Sequence, residues 1–360
     1  MSRILMILAG GTGGHVFPGL AVADHLRARG WEAVWLGTRN GMEAKLVPQH
    51  GITFDGIRFS SVRGKGLLRL ALGPLTIAWA FVQSAALIFK RRPDVVLGMG
   101  GYVSLPAGLA AVFLRRPLAI HDSNAVAGLA NRVLARFARR VCVAFPAAFG
   151  PGFKDKIAVS GNPLREEMTT LSPPAVRFAG RSGPLKLLVV GGSLGAQALN
   201  EIMPQALALL APSDRPQVTH QAGAKHIEAL RAAYTAAGLP AECVAFIDDM
   251  ARRYGECDLV VCRSGALTVS ELAAAGVASI LVPLPSAIAD EQTANARYLA
   301  ERGAALLEPQ AKLSAQRLAA LLQSLRREQL LAMAEAAYAL GQRDATQRVA
   351  QVCAELTDEE

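Results

Sequence analysis

Four glycine-rich turns carry residue types that can hold a phosphate group. They are GGTGGH (10–15), GMGGY (98–102), GGSLG (191–195) and RSGAL (263–267), each directly after an apolar run and each opening a probable helix. Backbone N–H groups at such turns and at helix N-termini face anions. One such turn is weak evidence, whereas four in one chain indicate a nucleotide or another diphosphate as ligand.

Two familiar alternatives explain single turns only. In the first turn, Val16 stands where a dinucleotide fingerprint needs its third glycine, and the next predicted strand ends without an acid for the ribose. The third turn matches the nucleophile elbow of hydrolases, with Ser193 as nucleophile and His220 or His226 as the later histidine. A hydrolase would leave the other turns unexplained, so we expect Ser193 to donate to a phosphate.

The fourth turn continues into a helix that begins with polar residues. Thr268, Ser270 and Glu271 lie in its first turns, where N–H groups can bind phosphate and a carboxylate can accept two vicinal ribose hydroxyls. Ordinary helix capping is the alternative interpretation. The chain contains no DxD pair and no Walker lysine. We therefore expect helix ends and arginine, rather than a carboxylate-held metal, to neutralise a bound diphosphate.

Short apolar runs alternate with helical patterns in both halves of the chain, and this rhythm predicts how the turns are positioned. RILMILAG, WEAVWLG and DVVLGMG are strand-like in the first half, as are KLLVVGG and LVVCRSG in the second. The pattern predicts two doubly wound parallel α/β sheets. A stretch rich in proline and glycine separates them, so we expect domains at 1–161 and 185–343 joined by a linker at 162–184.

The positive charge of the chain is concentrated in its first half. Of 360 residues, the first 161 hold 20 Lys/Arg and 7 Asp/Glu, while the other 199 hold 18 and 22. Such asymmetry indicates a polyanionic partner for the first half, either nucleic acid or an anionic membrane face. The five cysteines show no zinc-binding spacing and fit a reducing cytoplasm, and the short apolar N-terminus resembles a buried strand rather than a signal peptide.

The uncharged residues 70–89 are long enough to cross a bilayer. A spanning helix would separate the predicted strands on either side of it, which must join one sheet. We therefore expect a helix that lies partly on the sheet and partly in a membrane interface, with an ordinary core helix as the alternative. The membrane-facing groups would be Trp79 and Phe81, flanked by Arg63, Lys65, Arg69, Lys90, Arg91 and Arg92.

Taken together, the motifs resemble the MurG family, glycosyltransferase family 28, over nearly the whole chain. The residues that carry the resemblance are GGTGGHVFPGLAVA (10–23), GKG (64–66), GMGGYVSLPAGLAA (98–111), NAVAGLANR (124–132), GNPLR (161–165), GGSLGAQALN (191–200), HQAG (220–223), FIDDM (246–250), CRSGALTVSELAAAG (262–276) and DEQTANA (290–296). Their order and spacing are very specific. The chain departs from the family at His121-Asp-Ser, where HEQ is common, and at Ser286 and Glu291, where a histidine is common.

The resemblance implies a GT-B fold, with two Rossmann-like domains facing a cleft and a helix at about 344–356 packing back on the first. It implies transfer of N-acetylglucosamine from UDP-N-acetylglucosamine to the 4-hydroxyl of undecaprenyl-diphospho-N-acetylmuramoyl-pentapeptide, with inversion and without a metal or cofactor. The donor contacts implied are Thr12, Gly13, Gly14, Asn124, Arg165, Ser193, Ile247, Ala266, Leu267, Thr268, Val269, Ser270, Glu271 and Gln292.

An inverting displacement needs a base, and His15 directly follows the first glycine turn. The alternative is that His15 only orients the substrate. The acceptor's diphosphate would lie at Gly11, Gly100, Gly101 and Tyr102. The basic half would then meet the anionic inner membrane from its cytoplasmic face, as a peripheral protein, with no nucleic acid partner and with other cell-wall synthesis proteins as candidate partners. A transferase for another lipid, such as diacylglycerol, and a non-catalytic nucleotide-sugar scaffold remain as alternatives.

Overall fold

The computed structural model describes residues 2–60, 73–192, 195–285 and 290–358. The chain divides into two compact units, of which the first comprises Met1–Arg165 and Arg343–Glu360 and the second Glu166–Gln342. Each unit is built on one parallel β-sheet with helices packed around it. The prediction of two doubly wound α/β sheets is confirmed.

The first unit contains a seven-stranded sheet. Its strands are β1 (Ile4–Ala9), β2 (Glu32–Thr38), β3 (Thr53–Ile57), β4 (Val95–Gly100), β5 (Leu118–Asp122), β6 (Arg140–Val143) and β7 (Ile157–Val159). Its helices are α1 (Gly13–Arg27), α2 (Glu43–Gln49), α3 (Gly73–Arg91), α4 (Ser104–Phe113) and α5 (Leu129–Leu134), with a 3-10 helix at Pro151–Lys156. The order is β3-β2-β1-β4-β5-β6-β7, and all neighbouring strands are parallel.

Both faces of this sheet are covered, which explains its continuous apolar strands. Leu5 and Ile7 of β1 belong to the core under α1, whereas Met6 and Leu8 belong to the core under α3 and α4. Alternate residues of one strand therefore enter two different cores. A strand of this kind needs apolar residues at every position, as the sequence has.

The second unit contains a six-stranded sheet. Its strands are β8 (Lys186–Val190), β9 (Gln217–Gln221), β10 (Glu242–Val244), β11 (Leu259–Cys262), β12 (Ser279–Leu281) and β13 (Leu306–Leu307). Its helices are α6 (Glu166–Thr169), α7 (Pro174–Phe178), α8 (Gln197–Ala208), α9 (Ile227–Ala236), α10 (Met250–Glu256), α11 (Ala266–Ala275), α12 (Glu291–Ala300), α13 (Ala315–Ser324) and α14 (Arg327–Leu340), with 3-10 helices at Pro212–Asp214 and Gln310–Lys312. The order is β10-β9-β8-β11-β12-β13, again parallel throughout.

Two short helices, α6 and α7, lie inside the stretch 162–184. Arg177 of α7 donates to the Tyr254 carbonyl at 2.9 Å, and Arg181 pairs with the buried Asp258 at 2.6 Å. These contacts fix α7 and the residues after it to the body of the second unit.

The last helix of the chain, α15 (Ala345–Asp358), belongs to the first unit. It packs against α1, and Val349, Cys353 and Leu356 are buried in the same core as Leu5 and Ile7 of β1. The first unit is therefore built from two segments that are distant in sequence.

The strand orders place the glycine turns at one special point of each sheet. The chain winds outward in opposite directions from β1 and β4 in the first unit, and from β8 and β11 in the second. Loops at such a switch point leave a crevice beside the carboxyl ends of the strands, where α/β sheets bind ligands. All four glycine turns follow these four strands.

Candidate active site

The two glycine turns of the first unit are interlocked. Gly101 has φ +84°, and a side chain there would overlap the carbonyl oxygen of Gly10 in the first turn. The ring of Tyr102 lies against Gly11, where a Cβ would be 3.5 Å from the Tyr102 Cε1 atom. The turns after β1 and β4 therefore form one backbone surface, which brings together Gly11, Gly100, Gly101 and Tyr102.

His15 lies in the first turn of α1, with its ring against the second glycine turn. A Cβ at Gly100 would lie 2.6 Å from His15 Nδ1, so only glycine leaves room for the imidazole. Burial lowers the pKa of His15 below its ordinary 6.5, and a hydrogen bond with the Met99 backbone opposes this shift in part. Nδ1 is buried and has no hydrogen-bond partner among the described residues. At neutral pH the ring is therefore uncharged and can accept a proton.

The loop after β5 holds Asn124 beside this surface. Burial raises the pKa of Asp122, although its carboxylate accepts hydrogen bonds from Asn124 N–H at 3.0 Å and Asn131 Nδ2 at 2.9 Å. His121 is fully buried, and its Nε2 donates to the Gly161 carbonyl at 2.9 Å. Burial lowers the pKa of His121 to about 4, with a smaller contribution from His15. Asp122 and Asn131 thus fix the Asn124 backbone, a role that the sequence pattern did not reveal.

Thr12, Gly13 and Gly14 begin α1. Thr12 is its N-cap, its side chain makes no capping hydrogen bond, and the first turn of α1 contains no acidic residue. The N-terminus of α1 therefore presents a partial positive charge at the glycine turn.

Arg165, the last residue of the long segment of the first unit, is exposed.

In the second unit, α11 starts directly after the fourth glycine turn. Its N-cap is Gly265, which has no side chain to cap the first N–H groups. Ala266 and Val269 are buried, while the residues between and after them are partly exposed, namely Leu267, Thr268, Ser270 and Glu271. The exposed side of this helix start thus carries a hydroxyl pair and a carboxylate beside a helix N-terminus, which suits a phosphate and a ribose.

Gln221, at the end of β9, joins two neighbouring loops of the second unit. Its Oε1 accepts from Gly191 N–H at 3.1 Å, and its Nε2 donates to the carbonyls of Gly192 at 3.0 Å and Ala245 at 3.2 Å. The third glycine turn is thereby tied to the loop that contains Ile247, whose side chain is largely buried. Gln221 belongs to the HQAG motif (220–223), but the motif did not reveal this role. Ser193 lies outside the described residues.

The loops after β11 and β12 are also connected. Arg263 Nη1 donates to the Val282 carbonyl at 3.1 Å, and Gln292 Oε1 accepts from Leu284 N–H at 3.0 Å. This bond fixes the orientation of the Gln292 amide, whose Nε2 carries two N–H groups that can donate to a ligand. Ser286 lies outside the described residues.

His220, one of the two histidines that the hydrolase alternative offers, lies in the core of the second unit. Its Nδ1 contacts the Tyr234 hydroxyl at 3.0 Å and its Nε2 contacts Asn200 Oδ1 at 3.1 Å. Burial lowers the pKa of His220 to about 3. Both ring nitrogens are engaged in structure, so His220 has no role as a base for Ser193.

Helix α3 presents an apolar ridge to the outside. Trp79 is 59% exposed, and Leu75, Val82 and Phe89 are exposed on the same helix, whereas Phe81 is half-buried and contacts Phe113 with ring centroids 5.8 Å apart. With 19 residues and a mean hydropathy of 1.2, α3 is, in the part of the chain described, the one helix that meets the length and composition of a membrane span. It packs on α4, and Ala80, Ser84 and Ile88 are buried beneath it.

The basic residues at the end of α3 differ in availability. Arg91 forms a bidentate ion pair with Asp55 at 2.8 and 2.9 Å, which raises the pKa of Arg91. Lys90 and Arg92 are exposed. Of the three predicted cations at this end of α3, two therefore face solvent. The other three predicted cations, Arg63, Lys65 and Arg69, lie outside the described residues.

Comparison with known proteins gives a consistent result over the whole length. Residues 5–143 match the glycosyltransferase family 28 N-terminal domain, and residues 186–349 match the family 28 C-terminal domain. The UDP-N-acetylglucosamine--N-acetylmuramyl-(pentapeptide) pyrophosphoryl-undecaprenol N-acetylglucosamine transferase of Nitrosospira multiformis is 57% identical over 356 residues, 99% of each chain. The protein of the same description from Aromatoleum aromaticum is 57% identical over 98% of each chain. The crystal structure of Acinetobacter baumannii MurG has 40% identity, a TM-score of 0.84, and coverage of 98% of this chain and 99% of that one.

Proposed function

The chain belongs to glycosyltransferase family 28, and from that premise we infer which reaction it performs and which residues perform it. It is an N-acetylglucosamine transferase with the GT-B fold. The donor is UDP-N-acetylglucosamine, and the acceptor is undecaprenyl-diphospho-N-acetylmuramoyl-pentapeptide. The observation that carries this conclusion is identity of 57% over nearly the full length to transferases of that description.

We assign the UDP moiety mainly to the second unit. The N-terminus of α11 and Ser193 would bind the diphosphate, Glu271 would accept the two ribose hydroxyls, and the backbone near Ile247 would meet the uracil. The start of α11, whose N-cap Gly265 has no side chain, and the partly exposed Glu271 carboxylate support this arrangement. Gln292 Nε2 would donate to a hydroxyl of the sugar, with the amide oriented by the bond from Leu284 N–H to its oxygen.

His15 is our candidate for the general base. In a single displacement, the acceptor's 4-oxygen forms a bond to the anomeric carbon while the bond from that carbon to the UDP oxygen breaks. The proton of the hydroxyl passes to the neutral imidazole, and UDP leaves with the electron pair. The lowered pKa, which keeps the imidazole uncharged at neutral pH, supports this role. Arg165 and the helix N-terminus would stabilise the charge on departing UDP.

We propose that Thr12, Gly13, Gly14 and Asn124 approach the transferred sugar, and that the glycine backbone of the first two turns receives the acceptor's diphosphate. The Gly11 N–H already donates to Glu43 Oε2 at 3.3 Å. Phosphate binding would therefore depend more on Gly100, Gly101 and the start of α1.

We further propose that the protein binds the cytoplasmic face of the inner membrane as a peripheral protein. The exposed ridge of Leu75, Trp79, Val82 and Phe89, with Lys90 and Arg92 at its end, supports this, since it joins apolar area to positive charge.

Transfer of labelled sugar tests the reaction. Purified protein is mixed with UDP-[14C]N-acetylglucosamine and either the muramoyl-pentapeptide lipid or diacylglycerol, and the lipid products are separated. We expect label in the muramoyl lipid only. Label in diacylglycerol would favour a different lipid acceptor, and binding of the donor without transfer to either lipid would favour a scaffold.

A further inference from the structure

Glu43 is a fully buried carboxylate that no step of the proposed reaction uses. It is the first residue of α2, and none of its surface is exposed. Removing a carboxylate from water is unfavourable unless hydrogen-bond donors replace the lost solvent. The Gly11 N–H donates to Oε2 at 3.3 Å, and the Thr38 N–H and hydroxyl donate to Oε1 at 3.0 and 2.7 Å. The carboxylate therefore ties the first glycine turn to the end of β2.

The Thr38 hydroxyl extends this contact to the second glycine turn. Its oxygen lies 3.3 Å from the Tyr102 hydroxyl. A hydroxyl has one proton, and that of Thr38 is donated to Glu43, so Tyr102 must be the donor to Thr38. The phenolic oxygen of Tyr102 then has only lone pairs to offer a ligand. Tyr102 is partly exposed, and its ring packs on Phe59 with centroids 5.7 Å apart.

We propose that Glu43 is a positioning residue which, through Thr38, holds Tyr102 as a hydrogen-bond acceptor in the acceptor-substrate site. The proposal rests on the transferase function given above. An oxygen that presents lone pairs repels a phosphate oxygen and attracts an O–H or N–H group. Tyr102 therefore recognises a hydroxyl or amide of the muramoyl-peptide part of the acceptor, rather than its diphosphate.

Four variants test the connection from Thr38 to Tyr102: Thr38→Val, Thr38→Ser, Tyr102→Phe and the double variant Thr38→Val/Tyr102→Phe. We expect Thr38→Val and Tyr102→Phe each to lower kcat/KM for the lipid acceptor by about tenfold, with the donor KM unchanged. Thr38→Ser keeps the hydroxyl and should stay within about twofold of the wild type. Because both changes break the same connection, kcat/KM of the double variant should be no lower than that of the more impaired single variant. If the double variant instead loses the product of the two single losses, about a hundredfold, the two residues act independently and the connection is overturned.

Undecaprenyl diphosphate separates the two ligand chemistries, because it carries the diphosphate without the sugar and peptide. As a competitive inhibitor against the lipid acceptor, it should bind Tyr102→Phe as well as it binds the wild type, while the acceptor KM rises. Equal weakening of the inhibitor and the acceptor would show that Tyr102 binds phosphate, and the proposal would be wrong.

Glu43→Gln tests whether the Glu43 carboxylate orients the Thr38 hydroxyl. Its matched control is Glu32→Gln, because Glu32 is an exposed acid on the same strand as Thr38. We expect kcat/KM for the acceptor to fall at least about tenfold in Glu43→Gln and to stay unchanged in the control. Thermal unfolding is measured for both variants. If Glu43→Gln fails to fold, the comparison of Thr38→Val with Thr38→Ser tests the proposal in its place. Wild-type protein that transfers no sugar would contradict the proposed function, whereas normal transfer by Thr38→Val would contradict this inference alone.

Discussion

The environment of His15 gives it one property that a general base needs. Burial against the second glycine turn lowers the pKa of the imidazole and keeps the ring uncharged at neutral pH. The neighbouring His121 is also neutral, since its pKa is about 4. The sequence could identify His15 because it directly follows a glycine turn. The sequence could not show the pairing with Gly100, because that contact joins residues far apart in the chain.

Replacing His15 should affect turnover far more than donor binding. We expect His15→Ala to lower kcat by about 10²–10⁴-fold, since general base catalysis contributes about that much. In the wild type, kcat/KM should fall as pH decreases through an apparent pKa below 6.5, because protonation removes the base. Steady-state kinetics between pH 5 and 8 checks both, with the exposed His50→Ala as control. Near-normal turnover in His15→Ala would leave His15 an orienting role only.

Glu271 should act on the donor and not on the chemical step. A carboxylate that accepts two ribose hydroxyls binds the ground state and the transition state alike. We expect Glu271→Ala to raise the UDP-N-acetylglucosamine KM by about tenfold or more, with little change in kcat. Glu228→Ala, at an exposed glutamate of α9, is the control. A large fall in kcat with an unchanged donor KM would contradict the ribose assignment.

At the scale of elements, α3 shows where pattern alone stops being informative. Nearly every residue from 73 to 89 is apolar, so periodicity cannot tell which side of the helix meets the sheet. The sequence grouped Trp79 with Phe81, but the side chains differ, since Trp79 is 59% exposed and Phe81 is half-buried against Phe113. Packing against α4 makes this distinction, and packing is not readable from one uniform segment.

The two aromatic residues of α3 should therefore respond differently to replacement by serine. Trp79→Ser should weaken binding to vesicles of anionic phospholipid by at least about fivefold, with a stability change within about 0.5 kcal/mol. Phe81→Ser should instead lower the free energy of unfolding by about 2 kcal/mol, less than the 3–5 kcal/mol of a fully buried phenylalanine. Vesicle sedimentation and urea denaturation measure the two effects. Unchanged vesicle binding in Trp79→Ser would contradict the membrane surface.

At the scale of the whole molecule, the sequence predicted the repeated strands and glycine turns but not the side chains that connect one loop to another. Apolar runs that end in glycine turns revealed two parallel sheets and the four loops at their switch points. Glu43, Asp122 and Gln221 were not predicted, because each stabilises a loop through contacts made by folding. In sequence, Glu43 resembles any acid at the start of a helix, and only its complete burial identifies it.

The buried histidines predict how the protein responds to acid. His121 and His220 have pKa values of about 4 and about 3, below the 6.5 of an unfolded chain. As pH falls below 6.5, the unfolded chain binds protons that the folded chain does not. The free energy of unfolding should therefore decrease by up to about 1.4 kcal/mol per pH unit for each histidine, down to about pH 4.

Urea denaturation between pH 7 and pH 4.5 checks the acid response, with a His220→Asn variant to isolate one group. The variant should be less stable at pH 7, because it loses contacts with Tyr234 and Asn200, and its stability should depend less steeply on pH. An equally steep slope in His220→Asn would show that this histidine does not titrate on unfolding.

The return of α15 to the first unit sets the order in which the protein can fold during its synthesis. Val349, Cys353 and Leu356 complete the core beside α1, yet the ribosome adds them after the whole second unit. The first unit consequently has an uncovered apolar surface until α15 is made, whereas the second unit is continuous in sequence and is synthesised in full before α15. A chaperone that binds nascent chains should therefore remain on the first unit until residues 345–358 have left the ribosome.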